Sequence, residues 1–97
     1  MEAKLITITE YCKYSKVEAE FIDLLRGEDL IEVQSVSGEE SITVEQMPLL
    51  DQYARWYYEM EINLEGIDVI RHMLARVKKL QNEIEELETK LRLYEDF

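Results

Sequence analysis

Glycine, proline, cysteine and long apolar runs are all scarce in this chain of 97 residues. Three glycines and one proline leave little room for a flexible linker, so we expect one small domain with an appendage. The single cysteine, Cys12, excludes an internal disulfide. No charged segment leads into an apolar stretch, and no apolar run could span a bilayer. We therefore expect neither a signal peptide nor a transmembrane helix, and a cytoplasmic location.

Positive charge is the next shortage. The chain has 11 Lys and Arg against 22 Asp and Glu, a formal net charge of −11. Residues 1–48 carry eleven acids and four bases (net −7), and residues 49–97 carry eleven acids and seven bases (net −4). Such a balance predicts cationic partners and disfavours nucleic acid and anionic membranes.

Arrangements of side chains that could bind a metal or catalyse a reaction are also lacking. His72 has no second His or Cys at ligand spacing, and no base is paired with Cys12, which we interpret as a small buried hydrophobe. There is no Gly-rich phosphate loop, no Ser/His/Asp set and no metal-carboxylate pattern. We predict that the chain is not an enzyme and has no cofactor and no metal site.

The N-terminal half has the pattern of a short extended lead-in, two helices and a hairpin. Thr9 is predicted to cap a first helix from Glu10 to about Ser15, and Ser15 to cap a second helix together with Glu18. The second helix presents one apolar face and ends near Gly27. That face contains Val17, Phe21, Ile22 and Leu25.

Two β-branched runs, residues 30–33 and 41–43, flank a turn signal at Ser37-Gly38, which predicts a two-stranded wing. A third helix is predicted from Thr43 or Glu45, with Pro48 in its first turn. Its apolar stripe consists of Leu49, Leu50, Tyr53, Trp56, Tyr57 and Met60, of which we assign Tyr53, Trp56 and Tyr57 to the core. Residues 62–63 break the pattern, and a fourth helix is predicted from about Leu64.

The last third of the chain carries a heptad repeat without Gly or Pro. Its a positions are Ile70, Val77, Ile84 and Leu91, and its d positions are Met73, Leu80, Leu87 and Tyr94. A lone helix would leave this seam in water, so we expect a homodimer through Val77, Leu80, Ile84, Leu87 and Leu91. β-branched residues at a with Leu at d favour a parallel pair in free coiled coils, and the orientation stays open.

These patterns predict a mainly α fold, a winged helix-turn-helix body over residues 1–63 and a coiled-coil helix over residues 64–97. The order of elements resembles the MerR-type winged-helix proteins. More closely, Ile6-Thr7-Ile8-Thr9-Glu10-Tyr11-Cys12 and Glu65-Gly66-Ile67-Asp68-Val69-Ile70, leading into Leu80-Gln81-Asn82-Glu83 and Leu87, resemble the CbpM-like chaperone modulators, which have a MerR-like fold.

The chain departs from the MerR pattern where DNA would be contacted. MerR-type regulators place Leu-Arg-Tyr-Tyr-Glu in the recognition helix, whereas this chain reads Ile22-Asp23-Leu24-Leu25-Arg26, and its wing has no arginine. The CbpM-like resemblance implies a different partner: the J-domain of a DnaJ-like co-chaperone, whose basic helix engages Hsp70. An acidic modulator covering that helix would inhibit the co-chaperone by competition.

The candidate partner-binding residues are the acidic cluster and one exposed tyrosine: Glu18, Glu20, Asp23, Glu39, Glu40 and Tyr58. The simpler interpretation of the acids is a solvated face that confers solubility, and most exposed tyrosines are ordinary surface. Two further functions stay open. One is a MerR-like DNA-binding regulator relying on Lys4, Lys13, Lys16 and Arg26; the other is a coiled-coil scaffold whose body only stabilises the helix.

Overall fold

A computed structural model describes residues 4–95 and shows a small mixed body from which one long helix projects. In chain order the elements are β1 (Leu5–Thr7), α1 (Ile8–Ser15), α2 (Ala19–Gly27), β2 (Gln34–Val36), β3 (Glu39–Thr43), a 3₁₀ turn (Val44–Gln46), α3 (Met47–Ala54), a π-helical turn (Arg55–Glu59) and α4 (Leu64–Glu95). The mainly α winged helix-turn-helix fold is confirmed. Among residues 4–95, none of the helices combines the length and apolar character needed to cross a membrane.

The three strands form one antiparallel sheet in the order β1-β3-β2. The lead-in strand pairs with β3, Ile6 opposite Ile42, while β2 and β3 form the predicted wing, Val36 opposite Glu39. The two turn residues, Ser37 and Gly38, both have positive φ, 54° and 82°. This conformation suits a tight two-residue hairpin and explains the Ser-Gly pair.

The predicted position of the first wing strand, residues 30–33, was wrong. Leu30 and Ile31 are buried, but β2 begins only at Gln34. Asp29 takes a positive φ of 56° in the turn that follows α2. The backbone of Glu32 is hydrogen-bonded by the side chain of Gln46. The Gln46 amide donates to the Glu32 C=O at 3.0 Å and accepts from the Glu32 N–H at 2.9 Å. These groups are therefore satisfied without a strand partner.

Both predicted helix caps were also wrong. Thr7, not Thr9, caps α1: its Oγ1 accepts from the backbone N–H of Glu10 at 3.1 Å. Thr7 and Glu10 carry the spacing of a capping box, so the signal was present two residues earlier. Ser15 is the last residue of α1 and does not cap α2, whose N-cap, Glu18, makes no side-chain cap bond.

The core lies between α1, α2, the sheet and α3, and the first turn of α4 contributes to it. Of the predicted apolar face, Phe21, Ile22 and Leu25 are buried on α2, whereas Val17 is buried just before the helix begins. Tyr11 and Tyr53 are the largest fully buried side chains. The buried apolar residues are Tyr11, Val17, Phe21, Ile22, Leu25, Leu30, Ile31, Ile42, Leu50, Tyr53 and Ile67. Tyr14, on the same helix as Tyr11, is 71% exposed.

The third helix changes its winding after Ala54. Residues 55–59 form a π-helical turn, and the N–H of Met60 donates to the C=O of Arg55, five residues back, at 3.1 Å. The wider turn ends the regular apolar stripe. Tyr53 is fully buried as predicted, Trp56 and Tyr57 only border the core, and Met60 is exposed.

Helix α4 begins at Leu64 as predicted, and its start is fixed by Asn63, whose side chain accepts from the N–H of Gly66 at 2.8 Å. Ile67 anchors the helix in the core and is fully buried, whereas all of residues 71–95 are exposed. At 1.5 Å per residue the helix is about 48 Å long, so most of it lies beyond the body. The division of the chain between residues 63 and 64 stays a prediction.

Candidate functional site

A groove between α2 and the wing brings three of the predicted partner-binding acids together. Asp23 on α2 lines it with Glu39 and Glu40 at the wing, and Glu10 at the start of α1 supplies a fourth carboxylate. The groove has a volume of about 550 Å³. Thr7, Ile8, Thr9, Ala19 and Gly38 complete its lining. We call this feature the acidic groove.

One carboxylate of the acidic groove is neutralised from within the chain. Arg26, in the last turn of α2, forms an ion pair with Glu40 across to the wing. The guanidinium is partly covered, and its Nε is buried without a hydrogen-bond partner within residues 4–95. Among the ion pairs of the described residues none involves Glu10, Asp23 or Glu39. The groove therefore has a net charge of about −3 when Arg26 is counted with its four acids.

Glu10 was not among the predicted partner-binding residues. Its carboxylate accepts a hydrogen bond from Thr7 Oγ1 at 3.0 Å, which holds the carboxylate at the N-terminal end of α1. A carboxylate is stabilised at this end of a helix by the unpaired backbone N–H groups. The sequence did contain a signal for this position, since the spacing of Thr7 and Glu10 is that of a capping box. It places Glu10 at the start of α1, directly after β1, the strand that pairs with β3 of the wing.

Glu18 and Tyr58 lie together in a second region, at the start of α2. The Tyr58 ring packs on Phe21, with 5.2 Å between centroids, and on Tyr57 at 5.2 Å. Burial raises the pKa of the Tyr58 hydroxyl, against a hydrogen bond from the backbone of Glu18 that lowers it. Tyr58 is 45% exposed, as predicted. It also borders a cleft of about 340 Å³ with Lys16, Asp51 and Arg55.

Glu20 belongs to neither concavity. On a helix with 100° per residue it lies about 60° around α2 from Asp23, next to the exposed Leu24. The predicted acidic cluster is thus three neighbouring surfaces: the acidic groove, the outer side of α2, and the region of Glu18 and Tyr58.

Comparison with known proteins agrees with this architecture. Residues 6–89 match the family model of the MerR HTH family regulatory proteins. The chain belongs to this MerR HTH family. No curated protein and no solved structure gives a significant match.

Within this MerR-family body, α1 and α2 form the helix-turn-helix and β2–β3 the wing. The four cations that DNA binding would require are poorly placed for it. Arg26 is ion-paired with Glu40. Lys4, Lys13 and Lys16 are exposed, but none lines the acidic groove between the second helix and the wing. A duplex at this surface would meet carboxylates, with little phosphate neutralisation to offset them.

The predicted dimerisation residues of this MerR-family chain form an exposed apolar face along α4. Each is about half exposed or more in the single chain, from 47% at Val77 to 64% at Leu87. The set is Val77, Leu80, Ile84, Leu87 and Leu91. The same face widens near the body, where Val69, Met73 and Leu74 are also 48–61% exposed. Exposed apolar faces of this length are typical of interaction surfaces, and the homodimer stays a prediction.

Proposed function

We propose that this MerR-family chain is a chaperone modulator that binds the J-domain of a DnaJ-like co-chaperone and inhibits its action with Hsp70. The observation that supports the proposal is the acidic groove. Its three carboxylates outside the Arg26 ion pair, those of Glu10, Asp23 and Glu39, converge from α1, α2 and the wing. A partner that fits them is a cationic protein surface.

The groove is an open concavity of about 550 Å³ whose carboxylates come from three different elements. The basic helix of a J-domain would lie across the groove and extend Lys or Arg side chains into it. Complementary charge of this kind speeds association and selects the partner more than it adds affinity.

Inhibition follows from competition. The CbpM-like resemblance implies that the same basic helix engages Hsp70, so a groove that covers it withholds it from the chaperone. The exposed acids Glu18 and Glu20 continue the negative surface beyond the groove. The half-exposed Tyr58 beside Glu18 would add an aromatic contact of the kind enriched in interfaces.

The test uses the purified full chain, a purified J-domain and calorimetric titration. The variant Asp23→Asn/Glu39→Gln removes two groove charges, and Glu28→Gln/Glu45→Gln removes two exposed charges elsewhere on the body. We expect the groove variant to bind about tenfold more weakly, since each exposed charge pair contributes up to about 1 kcal/mol. The control should stay within about twofold. Equal weakening in both variants would refute the groove as the binding surface.

Two further measurements separate the alternatives. J-domain-stimulated ATP hydrolysis by Hsp70 should fall when the chain is added. Charge reversal of Glu18, Glu20 and Asp23 should weaken binding without unfolding the body, because all three are exposed. Duplex binding with a salt slope of about −0.9 per neutralised phosphate, without J-domain binding, would establish the DNA-binding regulator instead.

A further inference from the structure

The part of α4 nearest the body carries a run of positive charge within an acidic chain. Between residues 69 and 82 the helix has four cations and no acid, although the net charge of the whole chain is −11. The four cations are Arg71, Arg76, Lys78 and Lys79. All four are exposed. We call them the basic stripe.

Most of the basic stripe lies away from the exposed apolar face of α4. Arg71, Lys78 and Lys79 are spaced by seven and eight residues, about two turns of an α-helix, so they share one side of the helix. In the heptad repeat Arg71 and Lys78 take the b position and Lys79 the c position, away from the apolar a and d positions. Arg76, at g, lies beside the apolar face. A cover over the apolar face would therefore leave most of the basic stripe in water.

The basic stripe is poorly neutralised along its own helix. Acids three or four residues from a cation stabilise an exposed helix, and the distal part of α4 has such a pair in Glu86 and Lys90. Arg76 and Lys78 have no acid at either spacing, and Arg76 has Lys79 three residues further on, where like charges repel. None of the ion pairs found within residues 4–95 includes a cation of the basic stripe. A partner of opposite charge would remove this repulsion.

We propose that the basic stripe binds a short acidic segment of a partner protein, through charge-assisted hydrogen bonds from its Lys and Arg side chains to carboxylates. The stripe extends about 12 Å along the helix axis from Arg71 to Lys79, which an extended segment of about four residues covers. Its body end is fixed, because Arg71 Nη1 donates to the C=O of Asp29 at 3.3 Å.

The charges that border the basic stripe favour a short segment over a long polyanion. Asp68 precedes the stripe on α4, and Glu83 follows it. A nucleic-acid duplex laid along the helix would run over both carboxylates, with repulsion at each end of the stripe. A segment of about four residues ends before it reaches them.

The test is a nuclear magnetic resonance titration of the isotope-labelled full chain with a hexaglutamate peptide, with hexaglutamine as the uncharged control. We expect hexaglutamate alone to shift the backbone amides of residues 71–79. The variant Lys78→Gln/Lys79→Gln should bind hexaglutamate about tenfold more weakly, because it removes two of the four cations. The matched control is Lys90→Gln/Arg92→Gln, which removes two exposed cations from the distal part of the same helix and should stay within about twofold.

Several outcomes would overturn the proposal. They are amide shifts that avoid residues 71–79, equal weakening in the two double variants, and a response to hexaglutamine as strong as that to hexaglutamate. Tighter binding of a duplex oligonucleotide at the same amides would assign the stripe to nucleic acid instead. Weaker self-association of Lys78→Gln/Lys79→Gln in sedimentation equilibrium would show that the stripe contacts a second copy, also against the proposal. No substituted residue lines the acidic groove, so the proposed function is tested separately.

Discussion

Ile67 is the one fully buried side chain of α4, and its replacement by alanine tests whether the long helix is part of the body's fold. The change removes three carbon atoms from a site with 0% exposure. At about 0.8 kcal/mol per buried methylene the transfer loss is about 2.4 kcal/mol, and a residual cavity raises it to about 3–4 kcal/mol. A domain of this size has a total stability of about 5–15 kcal/mol, so the effect is large.

Two probes report on different parts of the molecule during urea unfolding. Far-ultraviolet circular dichroism is dominated by the 32 residues of α4, while the only tryptophan, Trp56, borders the core. For Ile67→Ala we expect both transitions to move together to lower urea. The matched control is Leu93→Ala, which removes the same number of carbon atoms at a position 59% exposed on the same helix and outside its apolar seam, and should change stability by less than about 0.5 kcal/mol. All chains are compared at one protein concentration, because self-association would add equally to each.

A loss below about 1 kcal/mol for Ile67→Ala would refute the reasoning. So would a shift of the dichroism transition with an unchanged Trp56 transition. Either result would mean that α4 is held independently of the body, and would support a boundary between residues 63 and 64. A joint shift would instead place the first turn of α4 in the same cooperative unit.

Three smaller perturbations test the wing, its support and the one thiol. Gly38→Ala places a Cβ at a φ of 82° and should cost about 1 kcal/mol in urea unfolding, with Ser35→Ala on the exposed face of β2 as the control. Gln46→Ala removes both bonds to the Glu32 backbone and should cost about 1–3 kcal/mol, with lost amide protection at Glu32 in hydrogen exchange. Burial, assisted by the negative charge of Asp23, raises the pKa of the Cys12 thiol, so its alkylation by iodoacetamide should be slower at pH 8 than that of a free cysteine and accelerate only at higher pH. A raised thiol pKa also means that this group's contribution to stability is lost as pH rises above the unfolded pKa; a Cys12 rate equal to that of the unfolded chain would contradict the assigned burial.

The parts of the fold that were predictable are those set by local pattern. The spacing of Phe21, Ile22 and Leu25 predicted the buried face of α2, and Ser37-Gly38 predicted the hairpin turn, since periodicity and positive φ are encoded within a few residues. The start of β2 was not predictable in this way. It depends on Gln46, fourteen residues from Glu32, and a side-chain bond over that separation leaves no periodic trace.

The candidate site shows the same division. Asp23, Glu39 and Glu40 were predicted from their charge and their place on α2 and the wing, and the fold brings them to one groove. Glu10 joined them only because β1 pairs with β3, a pairing that the sequence did not predict. The π-helical turn was equally hidden. Its wider winding lets both Tyr57 and Tyr58 reach Phe21, whereas a regular helix separates adjacent side chains by 100°.

Under the proposed function, a helix-turn-helix body takes a protein partner in place of DNA without a change of fold. Along α2 the buried positions, such as Ile22 and Leu25, hold the helix against the core, while the groove positions are free to vary in charge. Arg26 contacts the wing instead of a DNA phosphate, because its ion pair with Glu40 joins α2 to the wing. Because that pair neutralises one carboxylate, Arg26→Gln should leave four uncompensated acids around the groove. The salt dependence of the proposed J-domain binding should then become steeper. Arg26→Lys, which keeps the charge, should preserve the wild-type dependence. Equal salt dependence in the glutamine and lysine variants would show that the groove's charge does not govern binding.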